Sequence, residues 1–331
     1  MSFRNRIIVL STILGLLAVL YVVGITRFGG REAPPEPLVA EGALSGVTRA
    51  EIADSSGVSL VLEQVSGSWQ VRLGGELFPA RTERVESMLN ALDDLLRNRT
   101  VATSPERHEQ LGLTEDAATR LTLTRPQGAS IELFFGDLAP QGGEGFVRFA
   151  GEDTAYAVDS ALNFYFTQET SYWAELRLVR GLTPEDIVEI TVEAASLRLL
   201  NPEEPVAADF TLTRGSGQEW NLIPGPAMEP ANQEVERIAA ALANFQASDY
   251  LVSPEPGLFA EEQGSISFST EDGERYRFTI GASLPEDQFA LRAEGPGVPE
   301  SEGGEPLVFQ IGAWSLERVF KNLDDLVPPG G

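Results

Sequence analysis

The feature that most constrains this chain is that its landmarks come twice, in the same order, about 150 residues apart, which marks a duplicated domain and not a short solenoid repeat. Ser66-Gly67-Ser68-Trp69-Gln70-Val71 returns as Ser216-Gly217-Gln218-Glu219-Trp220-Asn221-Leu222, a turn leading into a strand that carries a tryptophan. A helical stripe follows in each half. Val85, Met88, Leu89, Leu92 and Leu96 recur at helical spacing behind Thr82, and Val235, Ile238, Ala239, Leu242 and Phe245 behind Asn232, with Thr82 and Asn232 expected as N-caps. Each such side chain, once buried, is worth roughly 1.5–3 kcal/mol, so the stripes read as core and need no binding role to explain them.

Next, Ser104-Pro105-Glu106 returns as Ser253-Pro254-Glu255. Each half then alternates through a hairpin that ends in glycine. Leu121 and Leu123, the turn Gln127-Gly128, and Ile131, Leu133, Phe135 and Gly136 correspond to Ile266 and Phe268, the turn Asp272-Gly273, and Tyr276, Phe278, Ile280 and Gly281. Phe146-Val147-Arg148 and Ala155 to Val158 match Phe289 to Arg292 and Leu307 to Ile311, each before a short helix carrying Phe166 or Phe320. Strands, one central helix and meandering strands, in duplicate, predict an α+β fold in which an antiparallel sheet carries its helix on one face.

Ahead of the repeats, residues Ile7 to Ile25 are uncharged and mainly aliphatic. As a helix at about 1.5 Å per residue they would span a bilayer core of about 30 Å. Arg4 and Arg6 precede the run, whereas Arg27 and Arg31 follow it beside Glu32, so the charge bias predicts a cytoplasmic N-terminus. No small-x-small cleavage site follows at Val23 to Arg27, which favours an uncleaved anchor over a secretory leader. The expected organisation is a stub and transmembrane anchor over 1–27, a Gly/Pro-rich tether over 28–46 and a first repeat over 47–176. A linker over 177–186, a second repeat over 187–327 and a tail over 328–331 complete it.

Chemistry is hard to place on this sequence. The formal net charge of −26 repels phosphate backbones, so nucleic acid is not an expected partner. With no cysteine, disulfides, thiolate metal sites and a cysteine nucleophile are excluded, and an oxidising compartment suits the chain. The one histidine, His108, sits in the polar run Ser104 to Glu109 and reads as an exposed helix or loop residue. The acid pairs Asp93-Asp94, Glu261-Glu262 and Asp324-Asp325 point to different sides of a helix and read as solvated faces. The acidic, glycine-rich run Pro299 to Glu305 reads as a hairpin loop. Phosphate-loop, dinucleotide and nucleophile-elbow motifs do not occur in the sequence. Trp69 and Trp220 occupy equivalent repeat positions and read as shared core, whereas Trp173 and Trp314 lie near domain ends, where they would pack the domains together. No catalytic, cofactor-binding or metal-binding residue is therefore assigned, no cofactor is expected, and the chain is read as a non-enzyme.

Several of these patterns resemble the domain-of-unknown-function 4340 family. The likeness is carried by the N-terminal anchor, Gly67-Ser68-Trp69, the helix from Thr82, Leu111-Gly112-Leu113 and the hairpin ending Phe135-Gly136-Asp137. It continues through Tyr172-Trp173-Ala174-Glu175-Leu176-Arg177 into Thr183-Pro184-Glu185-Asp186-Ile187. The second copy departs from it, with Pro256-Gly257-Leu258-Phe259 where the first has Leu-Gly-Leu. The resemblance implies an extracytoplasmic, membrane-anchored accessory or scaffold role at the inner membrane. Protein partners would come from an ABC-type transport system, its permease or auxiliary subunits, as in gliding-motility auxiliary components, and no catalytic residues carry over. The alternative is an envelope glycan- or polymer-binding module, for which tryptophans exposed in a groove would be the mark. A hydrolase would need a convergent pair of carboxylates.

Overall fold

The computed structural model describes residue 14 and residues 36–55, 57–126, 130–197, 209–215, 219–223, 232–301, 303–304 and 306–327. In the first half the strands are β1 (Glu36–Pro37), β2 (Arg49–Asp54), β3 (Gly57–Val65), β4 (Ser68–Leu73), β5 (Glu76–Pro79) and β6 (Leu96–Arg97), followed by β7 (Arg99–Ala102), β8 (Thr119–Thr124), β9 (Ser130–Leu138), β10 (Glu144–Phe149) and β11 (Ala155–Asp159). The second half has β12 (Ile187–Glu193), β13 (Phe210–Arg214), β14 (Trp220–Ile223), β15 (Asp249–Tyr250), β16 (Gly264–Thr270), β17 (Arg275–Leu284), β18 (Gln288–Glu294) and β19 (Val308–Gly312).

Strand order repeats between the halves. One sheet runs β5-β4-β3-β2-β8-β9-β10-β11-β7 and the other β14-β13-β12-β16-β17-β18-β19-β15, so each strand from β12 to β19 takes the place of a first-half strand. Paired strands run antiparallel, and β2, with Ala50 and Ile52 buried and Arg49 and Glu51 half-buried between them, shows the period-2 alternation of a sheet with one covered face. Among the described residues each half has one long helix, Thr82–Asp93 and Asn232–Ala243, besides short helical turns. The first buries Val85, Met88 and Leu92, and in the second half Val235, Ile238, Ala239 and Leu242 are buried in the same way.

The expected α+β fold led by a transmembrane helix needs correction. Among the described residues strand accounts for 42% and helix for 20%, in three sheets, so the fold is mostly β. Short strands add to the alternating runs: β5 and β7 edge the first large sheet, β14 and β15 the second, and β1 and β6 form a small sheet of their own. Among the described residues no helix is long and apolar enough to cross a membrane. The run Ile7 to Ile25 lies outside the described residues except for Leu14, as do the turn Gln127-Gly128 and Ser216-Gly217-Gln218. Arg81, and not Thr82, is the N-cap of the first helix, and its side chain makes no capping bond. Leu96 belongs to β6 and is exposed, while Phe245 is buried just after its helix. From Glu36 onward the stretch read as a tether is packed down: β1 pairs with β6, and Leu38 is fully buried.

The halves are joined by a strap. Before the first helix, Ala80 bridges Ala174, the Arg81 amide donates to the Trp173 carbonyl at 2.7 Å, and the Glu175 amide donates to the Pro79 carbonyl at 2.9 Å. On the other side, Leu178 and Val179 both donate to the Phe245 carbonyl and Ala247 donates to that of Leu176, all after the second helix. Residues 173–179 thus add a strand-like segment between the two helix ends, with Leu178 and Val179 buried. The hydrophobic core runs through this joint without interruption. Residues that composition marks as a linker are, at their start, part of the core.

Candidate functional site

Beside the strap lies an open, polar cavity of about 490 Å³. Its walls come from the entry to the first helix (Arg81 and Arg84), the strap and the helical turns before it (Thr167 to Arg177), the exit from the second helix (Gln246 to Ser248), and Ser315. It is therefore built by both halves, and its size falls in the range of small-ligand sites.

Three arginines face it in a chain that is otherwise strongly acidic. Arg177 is neutralised: its guanidinium meets the Glu175 carboxylate at 2.6 and 2.9 Å and reaches Glu83 at 3.2 Å. The hydrogen bond to Glu175, the larger influence, raises the Arg177 pKa even though burial opposes it. Glu175 is itself buried. Burial alone would push its carboxyl up, but hydrogen bonds from the Arg177 side chain and amide, with the charges of Arg177 and Arg180, hold it below the usual carboxylate range.

Arg81 and Arg84 differ from Arg177. Among the described residues neither has a carboxylate within ion-pair reach. Arg84 donates to the Tyr172 carbonyl and lies 4.1 Å from the centroid of the Tyr172 ring, a cation-π contact. Burial first, and then the positive charge of Arg81, lowers the Arg84 pKa. The one carboxylate on the wall, Glu169, is exposed. Ser171, Ser315 and Gln246 have no side-chain hydrogen-bond partner among the described residues.

Residues weighed from the sequence fall elsewhere. His108 is buried, not exposed: its Nε2 lies 2.9 Å from the Asp153 carbonyl, which assigns the proton to Nε2, and its own carbonyl accepts from the Leu111 and Leu113 amides. It serves to fix a turn. Asp325 closes a capping box with Asn322, and Glu262 reaches Arg277 at 3.6 Å. Glu300 bridges Pro306 as in a hairpin, with Glu302 and Glu305 outside the described residues. Among the described residues no three acidic or histidine side chains cluster as a metal site would need. Trp69, Trp173 and Trp220 are buried, and Trp314 is exposed with Arg318 over its ring. Trp69 and Trp220 lie in equivalent strands, β4 and β14; the Trp220 indole donates to Glu236, and Arg214 stacks on its ring at 4.5 Å.

The arginine group was not singled out in the sequence. The one local signal is Arg81 and Arg84 three apart at a helix start; the other wall is 88 residues away at Tyr172.

A family model described as "Domain of unknown function (DUF4340)" matches residues 69–260, a span that includes both helices, the strap and every wall residue named above except Ser315. No curated protein and no solved structure matches the chain.

Proposed function

Since the chain belongs to the DUF4340 family of domains of unknown function, we propose that it works by holding other proteins and not by chemistry, as an extracytoplasmic accessory or scaffold subunit of an ABC-type transport system. One observation carries this reading: the strap unites two like halves into a single body with a continuous core, which gives partners one shared surface. Interfaces within a chain are ordinarily smaller and looser, and leave the domains free to move. The charged groups at the strap support it too, because Glu175, Arg177 and Glu83 are spent on holding the joint. The lack of cysteine suits a compartment outside the cytoplasm.

Affinity purification of the intact chain after crosslinking in cells tests the reading. Permease or auxiliary subunits of an ABC-type transporter should be recovered, and recovery should fall when the strap is disrupted by Tyr250→Ala. A reporter fused to the C-terminus should be active only outside the cytoplasm. Recovery of no transport component, or a reporter active in the cytoplasm, would contradict the proposal.

A further inference from the structure

We infer that the cavity beside the strap is a binding site for an acidic saccharide, a sugar carrying a carboxylate or a phosphate, gripped by Arg81 and Arg84. The inference goes beyond the scaffold reading and does not depend on it.

Charge is the first argument. A chain with a net charge of −26 brings three arginines to one cavity and leaves two of them, Arg81 and Arg84, without a carboxylate within ion-pair reach among the described residues, Glu83 and Glu175 acting on them only as more distant charges. Acidic side chains are more than twice as numerous as basic ones, so an ion pair would have been the ordinary outcome. The two guanidiniums sit three residues apart at the start of the first helix, on the same side of it, and their charges oppose each other. An oxyanion between them relieves that repulsion and takes charge-assisted, bidentate hydrogen bonds. Arg84 is already oriented by the Tyr172 carbonyl and ring, so little side-chain entropy remains to be lost on binding. Arg177 is neutralised by Glu175 and Glu83, so the free positive charge at the cavity is that of Arg81 and Arg84.

Shape and lining are the second. At about 490 Å³ the space exceeds what a single inorganic anion fills. Beyond the arginines the wall offers the hydroxyls of Ser171 and Ser315 and the amide of Gln246, all without side-chain partners among the described residues, and Ser248, which accepts from the Gly312 amide and retains its proton to donate. Such groups match the alternating donors and acceptors of sugar hydroxyls. Glu169 stands exposed on the wall and disfavours a second acidic group on the ligand. The walls belong to both halves, so a bound ligand also ties the helix entry of one half to the helix exit of the other.

The test is calorimetric titration of the intact chain at low ionic strength with glucuronate, glucose 6-phosphate, glucose and inorganic phosphate. At least one acidic sugar should bind, roughly tenfold or more tighter than both glucose and inorganic phosphate, and added salt should weaken it. Binding of glucuronate alone identifies a carboxylate ligand; binding of glucose 6-phosphate alone identifies a phosphate ligand. Arg81→Gln with Arg84→Gln should weaken binding roughly tenfold to a hundredfold, and Lys321→Gln, in the separate basic cluster with Arg237 and Arg318, should leave it unchanged. If the double variant does not fold, Arg81→Gln alone decides, since that side chain makes no hydrogen bond or ion pair among the described residues. Three results would overturn the inference: no acidic sugar bound, glucose or inorganic phosphate bound as tightly as the acidic sugars, or arginine variants that bind like the parent chain.

Discussion

The rings of Phe78 and Tyr250, one from each half, stack with centroids 4.7 Å apart, and the Tyr250 hydroxyl donates to the Glu175 carbonyl of the strap at 2.6 Å. Phe309 also packs against Tyr250, with centroids 5.1 Å apart. Tyr250 is thus where the second core meets the first. Burial pushes the Tyr250 phenol far above its ordinary pKa, so it remains a donor at any working pH.

Removing the hydroxyl should cost less than removing the ring. Tyr250→Phe keeps the stack and leaves the Glu175 carbonyl without this donor, for a loss of about 1–2 kcal/mol. Tyr250→Ala or Phe78→Ala opens a cavity at the joint and should cost about 3–5 kcal/mol. Denaturant unfolding of the three variants checks the order; equal losses for Tyr250→Phe and Tyr250→Ala would show that the stack contributes nothing.

Two glycines at equivalent repeat positions should prove irreplaceable for the same reason. A Cβ at Gly136 would run into the Leu111 carbonyl, and one at Gly281 into the Leu258 carbonyl, well inside van der Waals contact. Neither glycine has a positive φ, so the constraint is close approach and not backbone freedom. Gly136→Ala and Gly281→Ala should each destabilise by about 1–3 kcal/mol, as overpacking does. Thermal unfolding of both decides it, and a neutral alanine at either site would break the equivalence.

Acid should loosen the joint. Because the folded-state pKa of Glu175 is depressed, its stabilisation is complete above the unfolded value and disappears as pH falls through the folded one. The melting temperature of the parent chain should therefore fall between about pH 5 and pH 3, near and below the ordinary glutamate value. Glu175→Gln should be less stable at neutral pH and should lose less on acidification, since its part is already gone. Parallel pH profiles for the two proteins would contradict this role.

How far such features can be read beforehand depends on whether they are local. The helical stripe Val85, Met88, Leu92 and the hairpins ending at Gly136 and Gly281 are written in short-range periodicity, and the matching strand orders follow from reading that pattern twice. The Leu258 carbonyl against Gly281 even supplies the counterpart of Leu111 that the divergent Pro256-Gly257-Leu258-Phe259 disguises in the sequence. Tertiary contacts overrode composition elsewhere. Arg177 begins a segment that reads as a linker, yet its neighbours Leu178 and Val179 are buried by bonds to Phe245, far away in the sequence. His108 sits among polar residues and is buried by the Asp153 carbonyl, 45 positions away. Short pairings such as β1 with β6 carry too little alternation to be seen, which is why strand was underestimated and the fold class misread. The arginine cavity was hidden for the same reason, because its walls converge only when both halves are in place.

Whether two like halves share one core is best tested by scanning calorimetry of the intact parent chain beside Tyr250→Ala. The continuous core predicts a single cooperative transition that Tyr250→Ala moves as a whole to lower temperature. Two separate transitions in the parent, with one left in place by Tyr250→Ala, would show two independent domains and contradict the account.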